Sequence, residues 1–216
     1  MKERYFIIYQ GGEGEIIEKK SRFIATTFPI ASEEEANEIL DRTRKKYWDA
    51  THNCFAYVLG ENHDIQRCSD DGEPSGTAGK PMLDVLLGED IHNILVIVTR
   101  YFGGTLLGTG GLVRAYANAV KEGIEHSVMV EKCLGKKYCI DTDYNGIGKL
   151  QYIVGQMGLT TIDTLYTDKV QMYLVVPIAE TDSFEKKVTE ATAGKARIEM
   201  LDKVYYGMIQ KEVLFF

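Results

Sequence analysis

The chain has 216 residues and a mass of 24.3 kDa, enough for one large domain or two small ones. Hydrophobic residues make up 44 % and charged residues 26 %, a balance that excludes a disordered, collagen-like or coiled-coil chain. A net charge of −7 and a pI near 5.2 exclude wrapping of bulk DNA, while a local basic patch remains compatible with nucleic-acid contact.

Tyr5 to Tyr9 is rich in aromatic and branched residues and predicts a strand, broken by Gly11, Gly12 and Gly14. Glu15 to Phe28 predicts one or two further strands, ended by Pro29. Ser32 followed by Glu35 is a capping box, and the glutamates after the cap suit the positive end of a helix dipole. Ala36, Ile39, Leu40 and Thr43 then recur at helical spacing, so the helix should run to about Tyr47. Asn53 to Leu59 and Ile65 to Cys68 predict a hairpin across Glu61-Asn62-His63-Asp64. Ser69 to Pro81 is a loop by its Gly, Pro, Asp and Ser content, with Pro81 suited to the first turn of a short helix carrying Met82, Val85 and Leu86. Ile94 to Thr99 is apolar without interruption, as a strand buried on both faces would be. A glycine-rich loop follows, and Leu112 to Ile124 predicts a helix.

Beyond about Leu134 the pattern is strand (Lys137–Thr142), helix (Tyr144–Met157), hairpin (Thr160–Tyr166 and Val170–Val176 about Asp168), helix (Asp182–Ala191) and strand (Ala196–Tyr206). This β-α-β-β-α-β order is that of a ferredoxin-like unit. The fold class is therefore α+β in two domains, residues 1–134 and 135–216, with the break at Cys133 to Lys136 and Gly135 as its breaker.

The four cysteines, Cys54, Cys68, Cys133 and Cys139, form no C-x-x-C pair and read as reduced, structural thiols. The N-terminus leads into a short apolar run with no cleavage signal, and no segment has the length of a membrane span. A cytoplasmic protein without membrane partners is expected.

The sharpest candidate for chemistry is the strand–glycine–helix segment with Gly103, Gly104, Gly108, Gly110 and Gly111. Glycine permits close backbone approach, and helix N-terminal amides point at an anion. Arg100 and Arg114 flank the segment and suit phosphate or carboxylate. A tight turn with close helix–sheet packing explains the same residues. The G-x-G-x-x-G template fails at Val113, and Gly79-Lys80-Pro81 does not complete a P-loop. The cluster Asp70-Asp71-Gly72-Glu73 reads either as a solvated acidic turn or as a docking edge for a basic protein, with a divalent cation as a further option. His52 and Cys54, two apart on a strand, share a face, where core packing competes with a Cys–His dyad or a metal site. His63, His92 and His126 read as isolated surface or turn residues. Ser75 does not fit G-x-S-x-G. The basic clusters Lys19-Lys20-Ser21-Arg22 and Arg42-x-Arg44-Lys45-Lys46 suit a solvated face, a helix C-terminus or phosphate contact. Tyr205, Tyr206, Phe215 and Phe216 suit packing or base stacking.

Several segments together resemble the YigZ/IMPACT family: Lys20-Ser21-Arg22-Phe23-Ile24-Ala25, His52-Asn53-Cys54, Ser69 through Pro81, and Thr99-Arg100-Tyr101-Phe102-Gly103-Gly104 through Arg114-Ala115-Tyr116. The resemblance covers roughly residues 18–127, and the second unit is similar to the second domain of bacterial YigZ-type members. It implies an N-terminal ribosomal-protein-like βαβ domain akin to domain four of elongation factor G, then a domain similar to domain five of that factor. Eukaryotic IMPACT restrains a translation-control kinase by competing for its activator, through an extra N-terminal domain for which this chain has no room. No catalytic residue and no cofactor come with the family. The resemblance implies a non-enzymatic regulator of translation whose partner is RNA, the ribosome or a translation-linked protein. Its binding residues would be Asp70, Asp71, Glu73, Lys80, Arg100, the five glycines and Arg114. The alternative is an enzyme acting on a phosphorylated small molecule or nucleotide. In that reading Gly103 to Gly111 hold phosphate, Arg100 compensates charge, and Asp70 or Asp71 acts as base or metal ligand.

Overall fold

The computed structural model describes residues 1–210 and 212–216, and the chain divides into two compact units, Met1–Glu131 and Lys132–Phe216. Both mix helix and sheet. The first unit is built on a five-stranded sheet in the order β2 (Glu13–Glu18), β3 (Ser21–Pro29), β7 (Ile94–Tyr101), β4 (His52–Leu59) and β5 (Ile65–Ser69), antiparallel throughout. β1 (Arg4–Gln10) and the short β6 (Ile91–His92) form a parallel pair in the same unit.

β7 shows why its sequence is continuously apolar. Ile94, Val96 and Val98 face a core shared with α2 (Gly79–Gly88) and α3 (Thr109–Glu125), while Leu95 and Ile97 face α1 (Glu33–Lys46). Side chains alternate across a strand, so a sheet covered on both faces needs apolar residues at every position. β4 repeats the logic, with Cys54, Ala56 and Val58 on one side and Tyr57 and Leu59 on the other. The α1 cap forms as the sequence predicts: Ser32 Oγ accepts from Glu35 N at 3.2 Å, and Glu35 reaches back, but to Ala31 N at 2.7 Å. Gly14, read as a breaker, lies inside β2.

The second unit has the strand order β9 (Thr160–Tyr166), β10 (Val170–Pro177), β8 (Val128–Thr142), β11 (Arg197–Ile209) and β12 (Glu212–Phe215). The crossovers by α4 (Ile147–Gln156) and α5 (Thr181–Thr192) place β8 and β10 at the centre, which is the ferredoxin-like arrangement. Both helices cover one face, where Tyr138, Ile140, Leu174, Leu150 and Phe184 meet. Two features depart from the sequence reading. Gly135, expected to break the chain, is paired within β8, opposite Pro177 and Val204. The chain end adds β12 to the edge, where Tyr206 pairs in register with Phe215.

Candidate functional site

The first unit gathers most of the sequence-selected residues around the end of β7. Arg100 is 5 % exposed and Glu73 8 %, and Arg100 Nη1 donates to Glu73 Oε1 at 2.5 Å. The same oxygen accepts the Tyr116 hydroxyl at 2.8 Å. Burying two charges is tolerated because they are paired and further hydrogen-bonded. The guanidinium lies over the rings of Phe23 (5.3 Å) and Phe102 (5.6 Å). Arg100 Nη2 reaches Ser21 Oγ at 3.5 Å, while its buried Nε–H has no hydrogen-bond partner among the described residues.

The turn before α2 is an internal scaffold. Asp70 Oδ1 accepts from Ala78 N (3.0 Å) and Gly79 N (2.8 Å), and Oδ2 accepts from Gly76 N (2.8 Å). Burial pushes the Asp70 carboxyl up, yet these three amides together hold it below the usual carboxylate range. Asp71 takes a left-handed backbone (φ 43°), accepts from Asn53 N at 2.7 Å and faces Arg44 at 3.7 Å. Lys80, exposed on α2, pairs with Asp84 one turn on.

His52 and Cys54 do not meet. His52 Nδ1 sits 2.8 Å from the Asp71 carbonyl, and its Nε2 faces Glu73 Oε2 at 3.9 Å. Cys54 Sγ lies 3.0 Å from the Asp70 carbonyl and 3.3 Å from the Tyr116 hydroxyl. Burial is the largest effect and pushes its thiol up to about 12; the Tyr116 hydrogen bond opposes it, and the nearby Glu73, Asp71 and Asp70 each add a smaller upward push. At neutral pH it is a buried thiol, so the dyad has no nucleophile.

The glycine loop is seated on the turn between β2 and β3. Gly103 N donates to Ser21 Oγ at 3.1 Å, and a Cβ on Gly103 would stand 2.2 Å from the Lys20 carbonyl oxygen. Only glycine allows that approach. Lys19 and Lys20, both exposed at left-handed positions (φ 44° and 69°), therefore flank the loop, and neither has an ion pair among the described residues. Gly104 follows at φ 82°. Gly108, at φ 74°, is the N-cap of α3, and no side chain caps that terminus. Gly110 and Gly111 are the first-turn residues of α3, and Arg114 Nη1 lies 3.7 Å from where a Gly110 Cβ would stand. Arg114 is exposed and unpaired among the described residues. The two arginines thus differ: Arg100 is internal and neutralised, Arg114 free.

One cluster escaped the sequence reading. His92 is 0 % exposed and stacks on His63 with ring centres 3.9 Å apart, so neither is isolated. With Asp90 they bring ligand-type atoms within 4.8 Å of one another. The Lys2 ammonium stands among them, 2.9 Å from Asp90 and 3.0 Å from His92 Nε2, so a cation already fills the place. Asp90 and His92 are two residues apart, but Lys2 and His63 come from distant parts of the chain, and no local spacing signals the group. His126 is a capping residue, its Nδ1 2.8 Å from the Glu122 carbonyl.

Residues 19–124 match the Impact N-terminal domain family, and residues 140–195 match a domain of unknown function, DUF1949. The chain is 42 % identical over 205 residues to IMPACT family member YvyE of Bacillus subtilis, covering 95 % of this chain and 94 % of that one. It is 34 % identical over 187 residues to IMPACT family member YigZ of Escherichia coli, covering 86 % and 92 % respectively. A crystal structure of a hypothetical protein, 31 % identical, superposes with a TM-score of 0.59 over 94 % of this chain and 99 % of that one.

Proposed function

The chain belongs to the IMPACT family, and from that premise we propose that it is a non-enzymatic cytoplasmic regulator of translation that engages RNA of the translation apparatus. The contact surface is the glycine loop with Lys19, Lys20 and Arg114 around it. The observation that carries this reading is the seating of Gly103 on Lys20 and Ser21, which sets two unpaired lysines beside a loop whose other end carries an unpaired arginine. Free cations along exposed backbone suit phosphate contacts, which give affinity with little sequence preference. An acidic chain can present such a face locally. The enzyme reading finds less support, because it needs Asp70 or Asp71 as base or metal ligand and Arg100 as a free charge, and Asp71 already accepts from Asn53 N and faces Arg44. Three amides fill the Asp70 oxygens, and Glu73 holds Arg100.

Co-sedimentation with ribosomes and with free RNA across a salt series tests the proposal. Wild type should bind at low salt and release as salt rises, with a log–log slope on the order of −2 for three single-strand phosphate contacts. Lys19→Ala/Lys20→Ala/Arg114→Ala should lose that binding while keeping its fold, since all three side chains are exposed. Equal binding by the triple variant, or binding indifferent to salt, overturns it.

A further inference from the structure

We infer that the cleft onto which His52 and Glu73 open binds a nucleobase carrying an exocyclic amino group, cytosine or adenine. The inference deepens the RNA proposal: it rests on that reading for the source of the base, but not for the chemistry of the cleft. The cleft encloses about 390 Å³, within the range of small-molecule sites. Leu106 and Leu107 of the glycine loop form one of its walls, so a base in the cleft and phosphates along the loop fit one strand.

Two acceptors without a donor line this cleft. His52 Nδ1 lies 2.8 Å from the Asp71 carbonyl oxygen, which can only accept. Nδ1 therefore carries the proton, and Nε2 of the neutral ring presents a lone pair. Glu73 is 8 % exposed, and its Oε1 accepts from Arg100 and Tyr116. Its Oε2 accepts no hydrogen bond among the described residues and faces His52 Nε2 at 3.9 Å, beyond hydrogen-bonding distance. Two lone-pair atoms side by side repel, and an unfilled buried acceptor is costly. One amino nitrogen about 2.9 Å from each would donate a proton to both. The Glu73 charge is already matched by Arg100, so a neutral amino group suits the place better than a second cation. Apolar residues make up the walls: Phe102 is 46 % exposed and Leu106 82 %, with Leu107 and Leu112 beside them. Such walls suit the ring of a base, and splayed RNA bases are read by stacking on aromatic side chains and bonding at their edges. Uracil carries a carbonyl where cytosine carries its amino group, and would set a third acceptor against the two.

The probes are cytidine, uridine, adenosine and inosine, titrated into the full chain by calorimetry with the His52 ring nitrogens followed by ¹⁵N NMR. None carries a phosphate, and each pair exchanges an amino group for a carbonyl. Cytidine should bind at least tenfold more tightly than uridine, and adenosine than inosine, and binding should shift the His52 Nε2 resonance. His52→Leu keeps an apolar side chain of similar size but removes the lone pair, and should erase most of the preference. The wild-type comparison needs no variant to fold: equal binding within each pair, no saturable binding, or an unmoved Nε2 resonance overturns the inference. Oligo(C) and oligo(U) of equal length, co-sedimented with the chain, separate it from the RNA proposal. Equal binding of the two oligomers overturns the inference and leaves the RNA proposal standing. Cytidine bound with neither oligomer bound supports the cleft and overturns the RNA proposal.

Discussion

Arg100 Nη1 lies 2.5 Å from Glu73 Oε1, and both side chains are almost entirely out of solvent. The pair joins the Asp70–Glu73 turn to the end of β7 and, through Tyr116, to α3. Removing one partner leaves the other charge buried and uncompensated. Arg100→Ala or Glu73→Ala should each cost about 3–5 kcal/mol, whereas Arg100→Met/Glu73→Leu should recover much of the loss. Urea unfolding of the three variants checks this. Near-zero cost for either single change would mean the pair is solvated in solution.

Asp70 should behave as an anchor for the loop. Asp70→Ala frees three amides and is expected to cost about 2 kcal/mol, by analogy with helix caps. Because its folded carboxyl is held below the ordinary value of 3.8, its contribution is complete above that value and fades as pH falls through the folded one. The stability gap between wild type and Asp70→Ala should therefore be constant from pH 5 to 7 and shrink below about pH 4.

Thiol chemistry separates Cys54 from Cys68. Cys68 is exposed on β5, whereas Cys54 is buried with its thiol pushed up to about 12. At pH 8 a thiol reagent should modify Cys68 first, and Cys54 only as the chain unfolds. Cys68→Ser should remove the fast phase. A fast phase that persists and maps to Cys54 would restore the dyad reading.

Glycine substitutions should split by position. Gly103→Ala forces a Cβ into the Lys20 backbone and should destabilise the first unit and loosen the loop. Gly108→Ala places a side chain at φ 74°, ψ 165°, backbone that glycine alone adopts readily, and should cost about 1–3 kcal/mol. Gly155→Ala, in α4 with open space around the new methyl, should raise stability by about 0.5–1 kcal/mol. Thermal unfolding of the three variants checks the order.

Elements with strong local signals are legible in the sequence. The Ser32 cap, the doubly buried Ile94–Thr99 strand and the β-α-β-β-α-β order of the second unit all follow from periodicity, capping and turn chemistry. Gly14 and Gly135 read as breaks in the sequence but lie inside strands, because a glycine in a strand leaves the same local mark as one in a turn. β12 was missed because its reason to exist is the neighbouring strand, with Tyr206 opposite Phe215.

The sequence by itself determined the family, the two-unit α+β organisation and the segments from which a site is drawn, because those depend on residue order and local propensity. Tertiary structure decided what each charged residue does. Arg100 and Arg114 are indistinguishable as letters, yet one is sealed against Glu73 and the other stands free at a helix terminus. Asp70 looks like a surface carboxylate but is filled by backbone amides, and His63, His92 and Lys2 converge from distant parts of the chain. Burial and long-range pairing set the charge state and availability of a side chain, and both are properties of the packed chain rather than of its neighbours in sequence.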